Sequence, residues 1–178
     1  MNTTLNAIFA ALLILSIESG SAFAQSPVGA EARIKQMNIT LPPPIPPIAN
    51  YVGAVQVGNL LFVAGTTAGP EWPVRGKVGK DVTVDQAYQA ARQTGLNQLT
   101  NIRAALGSLD RVKRIVKVLG MVNSAEGFGD QPKVINGFSD LMVEVFGESI
   151  GRHARSAVGM EALPGNASVE VELIVEVE

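Results

Sequence analysis

Val169-Glu170-Val171-Glu172-Leu173-Ile174-Val175-Glu176-Val177 decides the fold. Apolar residues at 169, 171, 173, 175 and 177 alternate with Glu170, Glu172, Ile174 and Glu176, the period of a strand that buries one face. Such a valine face has to meet helices, because nothing else in the chain can cover it. Arg152 to Met160 reads as the strand before it, and Leu163-Pro164-Gly165-Asn166 separates the two. Read as a hairpin, matching like faces sets Val158 opposite Val169 and Ala154 opposite Leu173. Arg155 then lies opposite Glu172, Ala157 opposite Glu170, and Glu170 is a diagonal neighbour of Arg155 within about 7–8 Å. On that reading His153, Arg155, Ala157 and Gly159 share with the glutamates the sheet face turned away from the helices.

Upstream, Tyr51–Val57 and Leu60–Ala64 are apolar runs joined at Gly58-Asn59, residues that tolerate the positive φ of a tight hairpin turn. Gly65 to Lys80 is rich in glycine and proline and reads as a long loop. Its Gly69…Gly76-Lys77 lacks both the spacing and the Ser/Thr of a phosphate loop. Thr83-Val84-Asp85-Gln86 is a capping box opening a helix. That helix carries Val84, Ala87, Tyr88, Ala91, Gly95, Leu99, Ile102 and Leu106 at helical spacing and ends at Gly107. Val112–Val122 is β-branched and strand-like. Asp130 and Pro132 open a second helix that stops at Gly147. The order is β-β-α-β-α-β-β, an α+β two-layer α/β sandwich.

The chain has 178 residues, room for one domain. Net charge is −2, with lysine and arginine scattered, so the basic footprint of a nucleic-acid binder is missing and no nucleic-acid partner is expected. With no cysteine there are no disulfides, thiolate metal sites or thiol nucleophiles. One histidine, His153, cannot build a His-rich metal centre. No metal site is expected, although a carboxylate-only Mg²⁺ or Ca²⁺ site stays open.

Ala7–Ile17 (AIFAALLILSI) is too short an apolar run to span a bilayer and has the length of a signal-peptide core. Ala22-Phe23-Ala24 supplies the small residues of a cleavage site, although no Lys or Arg precedes the run. Residues 1–24 therefore read as a signal peptide. The mature protein is expected to be periplasmic or secreted, with no stable membrane association after cleavage. Residues 25–50 form an arm, with a short helix expected near Glu31–Met37 and a proline-rich stretch at 41–48 lying on the surface. The folded domain is assigned to 51–178.

Two readings of Arg155 stand side by side. One is a cross-strand ion pair with Glu172 on a solvated sheet face. The other is a carboxylate-binding site. A planar guanidinium grips a substrate carboxylate with two parallel hydrogen bonds, a nearby glutamate handles water, and the small Ala157 and Gly159 leave room for the ligand. A Ser156–His153 nucleophile is not expected, since the two alternate across one strand.

Ala154-Arg155-Ser156-Ala157-Val158, followed by Leu163-Pro164 and Val169-Glu170-Val171-Glu172, resembles the A-R-S-x-V…L-P…[VI]-E-[VI]-E signature of the RidA (YjgF) family of imine and enamine deaminases, an older name for which is endoribonuclease L-PSP. Gly58–Gly65 and Val134-Ile135-Asn136 are similar to further family segments, and the resemblance covers residues 38–178. It implies a chorismate-mutase-like fold and hydrolysis of a 2-imino or 2-enamino acid to a 2-oxo acid and ammonia, without a cofactor. It also implies a homotrimer with sites between subunits. By resemblance, Arg155 binds the substrate carboxylate and Glu170 positions the hydrolytic water. Tyr51 and Gly65 line the pocket, and Asn136 stands near the subunit contact. Ala157 stands where the family often has cysteine. A non-catalytic binder of small carboxylates, or a holdase of the same fold, is the alternative from another class.

Overall fold

The computed structural model describes residues 29–44, 46 and 49–178. The proposed signal peptide, residues 1–24, and the proline-stretch isoleucines Ile45 and Ile48 lie outside the described residues.

The expected strands and helices form. β1 (Ala54–Val57) and β2 (Leu60–Thr67) pair antiparallel around a two-residue turn in which Gly58 takes φ +60°. α2 (Val84–Leu106) opens on the Thr83 box: Gln86 N–H donates to Thr83 Oγ1 at 3.2 Å, and Thr83 N–H donates to Gln86 Oε1 at 3.0 Å. β3 (Val112–Asn123), α3 (Gln131–Phe146), a short α4 (Glu148–Gly151), β4 (Ala154–Met160) and β5 (Val169–Val177) follow. Preceding them all, α1 (Ala30–Gln36) is the short helix expected in the arm.

Strand order corrects the hairpin reading. The sheet runs β1-β2-β5-β3-β4, so β3 separates the last two strands. β4 pairs parallel with β3 (Arg155 beside Val118), and β5 pairs antiparallel with β3 (Leu173 beside Val118). Arg155 is thus not opposite Glu172, nor Ala157 opposite Glu170. The faces are corrected too. Arg155, Val118 and Leu173 share one face, and Val118 and Leu173 are buried against the helices. Arg155 and Ala157 therefore point to the helix side, and Glu170 and Glu172 to the other. The reason is topological: β3-α3-β4 is a crossover unit joining parallel neighbours, and β5 is inserted between β2 and β3. Alternation shows which residues share a face of one strand and cannot show which strand lies beside it.

The valine face of β5 is buried as expected, under α2, while α3 packs on β3 and β4. The two helices cross closely at Gly137, where a Cβ would run into the Tyr88 carbonyl oxygen. The arm is docked rather than loose. The Glu31 carboxylate accepts from Arg103 Nε (3.0 Å) and Nη2 (2.6 Å), and from Leu109 N–H (2.9 Å). Further along, Thr100 Oγ1 donates to the Pro42 carbonyl at 2.8 Å. Among the described residues no helix is long and apolar enough to cross a membrane.

Candidate active site

The residues singled out from sequence fall into two groups. Tyr51, Gly65 and Glu170 line one cavity of about 290 Å³, together with Pro43, Gly69, Pro70, Asn97, Asn101 and Pro164. Arg155 and Asn136 meet elsewhere, on the outer strand β4, where Arg155 Nη1 donates to Asn136 Oδ1 at 2.9 Å. Ala157 lies two residues further along the same face of β4, half-buried against the core.

The first group is built by a break in the sheet. β2 pairs with β5 through Val63–Leu173, then resumes at Thr66–Val171, so one extra β2 residue is accommodated between them. At the bulge the buried Gln98 of α2 ties the two strands together: its amide donates to Ala64 O at 2.8 Å and to Val171 O at 2.6 Å. Asn97 donates to Thr67 O at 2.9 Å and Asn101 to Thr66 Oγ1 at 3.2 Å. These three amides were not picked out from the sequence. The signal was there, since polar residues interrupt the buried stripe of a helix only where something must be hydrogen-bonded.

Glycine at 65 lets the Glu170 carboxylate take its place against the bulge: a Cβ there would meet Glu170 Oε1 and push the carboxylate aside. Among the described residues the Glu170 carboxylate has neither a hydrogen-bond donor nor an ion-pair partner. Burial, with the like charge of Glu172 adding, raises its pKa above the ordinary glutamate value. A half-buried carboxyl of raised pKa, open to a small cavity, is equipped to take a proton from water and return it.

The second group centres on Arg155, whose guanidinium lies along one stripe of α3. Nη1 donates to Asn136 Oδ1 and to Ser139 Oγ, each at 2.9 Å, and Nη2 reaches the Pro132 carbonyl at 3.4 Å. All three acceptors are neutral, and no carboxylate among the described residues lies within ion-pairing distance. The ion pair with Glu172 therefore does not form. Partial burial lowers the Arg155 pKa, with Asp140 opposing, and the group stays a cation without a counter-ion. Ser139, missed in the sequence, joins it to His153, whose Nε2 lies 3.1 Å from Ser139 Oγ. The Ser–His pair set aside for Ser156 thus exists with a different serine. Its members come from α3 and from the turn into β4, which linear spacing does not reveal.

Residues 31–177 match the family model described as "YjgF/chorismate_mutase-like, putative endoribonuclease". The chain is 44% identical over 149 residues to Protein TCP17 of Trypanosoma cruzi, covering 82% of this chain and 92% of that one. It is 31% identical over 134 residues to a 2-iminobutanoate/2-iminopropanoate deaminase of Dermatophagoides farinae, covering 74% and 89%. A crystal structure of a "putative endoribonuclease" from Shewanella oneidensis superposes with a TM-score of 0.79 at 31% identity, over 84% of this chain and 99% of that one. A bulged α+β sandwich with an arginine lacking a counter-ion and a pocketed glutamate, matched over this length, belongs to the RidA (YjgF) family, with its chorismate-mutase-like fold. At the level of that family, the kinship is with imine deaminases.

Proposed function

We propose that this protein hydrolyses reactive 2-imino or 2-enamino acids to 2-oxo acids and ammonia, without a cofactor, in sites shared between the subunits of a homotrimer. The observation that carries the reading is that one chain holds both a guanidinium without a counter-ion, Arg155, and an unpartnered carboxyl of raised pKa, Glu170. Arg155 holds the substrate carboxylate. The Glu170 carboxylate takes a proton as water adds to the carbon of the protonated imine, giving a carbinolamine. It returns that proton to nitrogen, then takes the hydroxyl proton as the C–N bond breaks and the carbonyl forms, and passes it to the departing ammonia. Tyr51 and the Gly65 backbone bound the pocket, and Asn136 fixes Arg155 beside the subunit contact.

One subunit cannot bring the two groups together, so a second copy has to. Three is the family's number. The sheet face away from the helices supports association, because it exposes Val55, Phe62, Val158 and Met160 and no element among the described residues covers it. That same apolar face supports the second reading, a holdase or small-carboxylate binder of the same fold. Residues 1–24 are proposed to direct export to the periplasm or outside the cell and to be removed there.

The test is ammonia release from freshly generated iminopropanoate and iminobutanoate by wild type, Arg155→Lys and Glu170→Gln. An ammonium is a point charge and cannot replace the planar fork, so lysine should weaken carboxylate binding roughly tenfold to a hundredfold. Glu170→Gln should keep binding and lose turnover. Wild type inert toward small, branched and aromatic imino acids would leave the binder reading standing.

A further inference from the structure

His153 Nδ1 lies 2.7 Å from the Gly151 carbonyl, which can only accept, so Nδ1 carries the proton. In the neutral ring Nε2 is then an acceptor, and Ser139 Oγ, at 3.1 Å, donates to it. With its proton committed there, the Ser139 hydroxyl turns a lone pair to Arg155 Nη1 at 2.9 Å. Asn136 Oδ1 takes the other Nη1 proton. The guanidinium has five N–H groups in one plane. Two are spent on Nη1 and one, weakly, on the Pro132 carbonyl at 3.4 Å, leaving Nε–H and an Nη2–H.

Resting on the carboxylate-binding reading of Arg155, we propose that His153 is a positioning residue: acting through Ser139, it fixes the Arg155 side chain and presents its Nε–Nη2 edge to the substrate carboxylate. The ring is itself held. It stands edge-on to the fully buried Phe138, with centroids 6.4 Å apart and planes at 78°. Burial, with the charge of Arg155 adding, lowers its pKa, while the Gly151 bond opposes, so the neutral ring the relay needs is the form favoured at neutral pH. The charged groups around it are Asp140 and Glu144 of α3, Glu148 of α4, Arg114 and Glu176 on the neighbouring strands, and Arg152 and Arg155 beside it. A mobile arginine loses rotamer freedom when it binds, and a side chain ordered in advance avoids that cost. The relay therefore acts on binding and leaves the proton transfers at Glu170 alone.

Because His153 is the chain's one histidine, its ring nitrogens give an unambiguous ¹⁵N spectrum of the full protein. The expected result at pH 7 is a neutral ring protonated at Nδ1. A ring protonated at Nε2, or at both nitrogens, overturns the relay. Binding of pyruvate and KM for iminopropanoate are then compared in wild type, Ser139→Ala and Ser139→Thr. Alanine should weaken both by roughly fivefold to tenfold with kcat nearly unchanged, the scale of one ordinary hydrogen bond lost from the support of Arg155, and threonine should restore most of it. Binding unaffected in Ser139→Ala, a loss confined to kcat, or threonine no better than alanine overturns the proposal. Wild type that binds no pyruvate and turns over no imine overturns the reading of Arg155 and the relay with it. Wild type that binds while Ser139→Ala binds equally well overturns the relay alone.

Discussion

Arg155 and Glu170 lie on opposite faces of the sheet, two strands apart, with β3 between them. Arg155 aligns with Leu173 through Val118, three residues from Glu170 along β5. Two strand spacings and three residues of rise put the two backbones roughly 14 Å apart. A three- or four-carbon imino acid cannot touch both in one subunit.

This geometry predicts complementation. Arg155→Ala and Glu170→Gln should each be inactive alone. Dissociated, mixed in equal amounts and reassociated, they should regain about a quarter of wild-type activity, since that fraction of interfaces joins an intact arginine to an intact glutamate. The measurement is ammonia release before and after remixing. No recovery in demonstrably mixed assemblies would place both residues' work within one subunit.

Glu170 should make stability depend on pH. Its folded-state pKa is raised, so at low pH, where folded and unfolded chains are both protonated, it costs nothing. As pH rises, the unfolded chain ionises first, near the ordinary glutamate value of about 4.3, and stability falls until the folded-state pKa is passed. Glu170→Gln should therefore melt higher than wild type at pH 7, with the difference vanishing below about pH 4. Turnover by wild type should fall as acid protonates the same group. Melting curves and rates across that range read both.

At Gly65 the expected loss is in function. An alanine methyl would meet the tip of the Glu170 side chain, which can swing aside, and Gly65 has no positive φ to strain. Gly65→Ala should fold with stability within about 1 kcal/mol of wild type. The displaced carboxylate should cost tenfold or more in kcat, on the scale of misplaced catalytic groups. Steady-state kinetics beside a denaturant titration would separate the two.

Gln98 should behave in the opposite way. Gln98→Leu keeps similar bulk but removes the buried amide that donates to both Ala64 O and Val171 O. The expected cost is about 2–4 kcal/mol of stability. The bulge carrying Gly65 should loosen as well, seen as faster amide exchange at residues 64–67.

Periodicity made the elements legible. The valine alternation of β5, the Thr83 capping box, the Gly58-Asn59 turn and the Gly107 and Gly147 stops are local, each set by a few neighbouring side chains and backbone torsions. The signature around Arg155 and Glu170 was legible for the same reason, as residue types at fixed spacing within β4 and β5, and what it marked was the family. The helix amides Asn97, Gln98 and Asn101 were visible only as polar letters in an apolar stripe, because what they bind is a bulge in other strands.

Sequence alone determined which residues share a face of each strand and which helix stripes are buried. Tertiary structure decided which strands are neighbours, and hence that Arg155 faces α3 while Glu170 faces away from it. The physical reason is that side-chain alternation is a property of one strand, whereas pairing is chosen by crossover connections and by the packing of both helices over the whole sheet. The β3-α3-β4 crossover claimed the edge of β3 that a simple hairpin would have given to β5. It turned Arg155 onto Asn136 and Ser139, and that left its charge free.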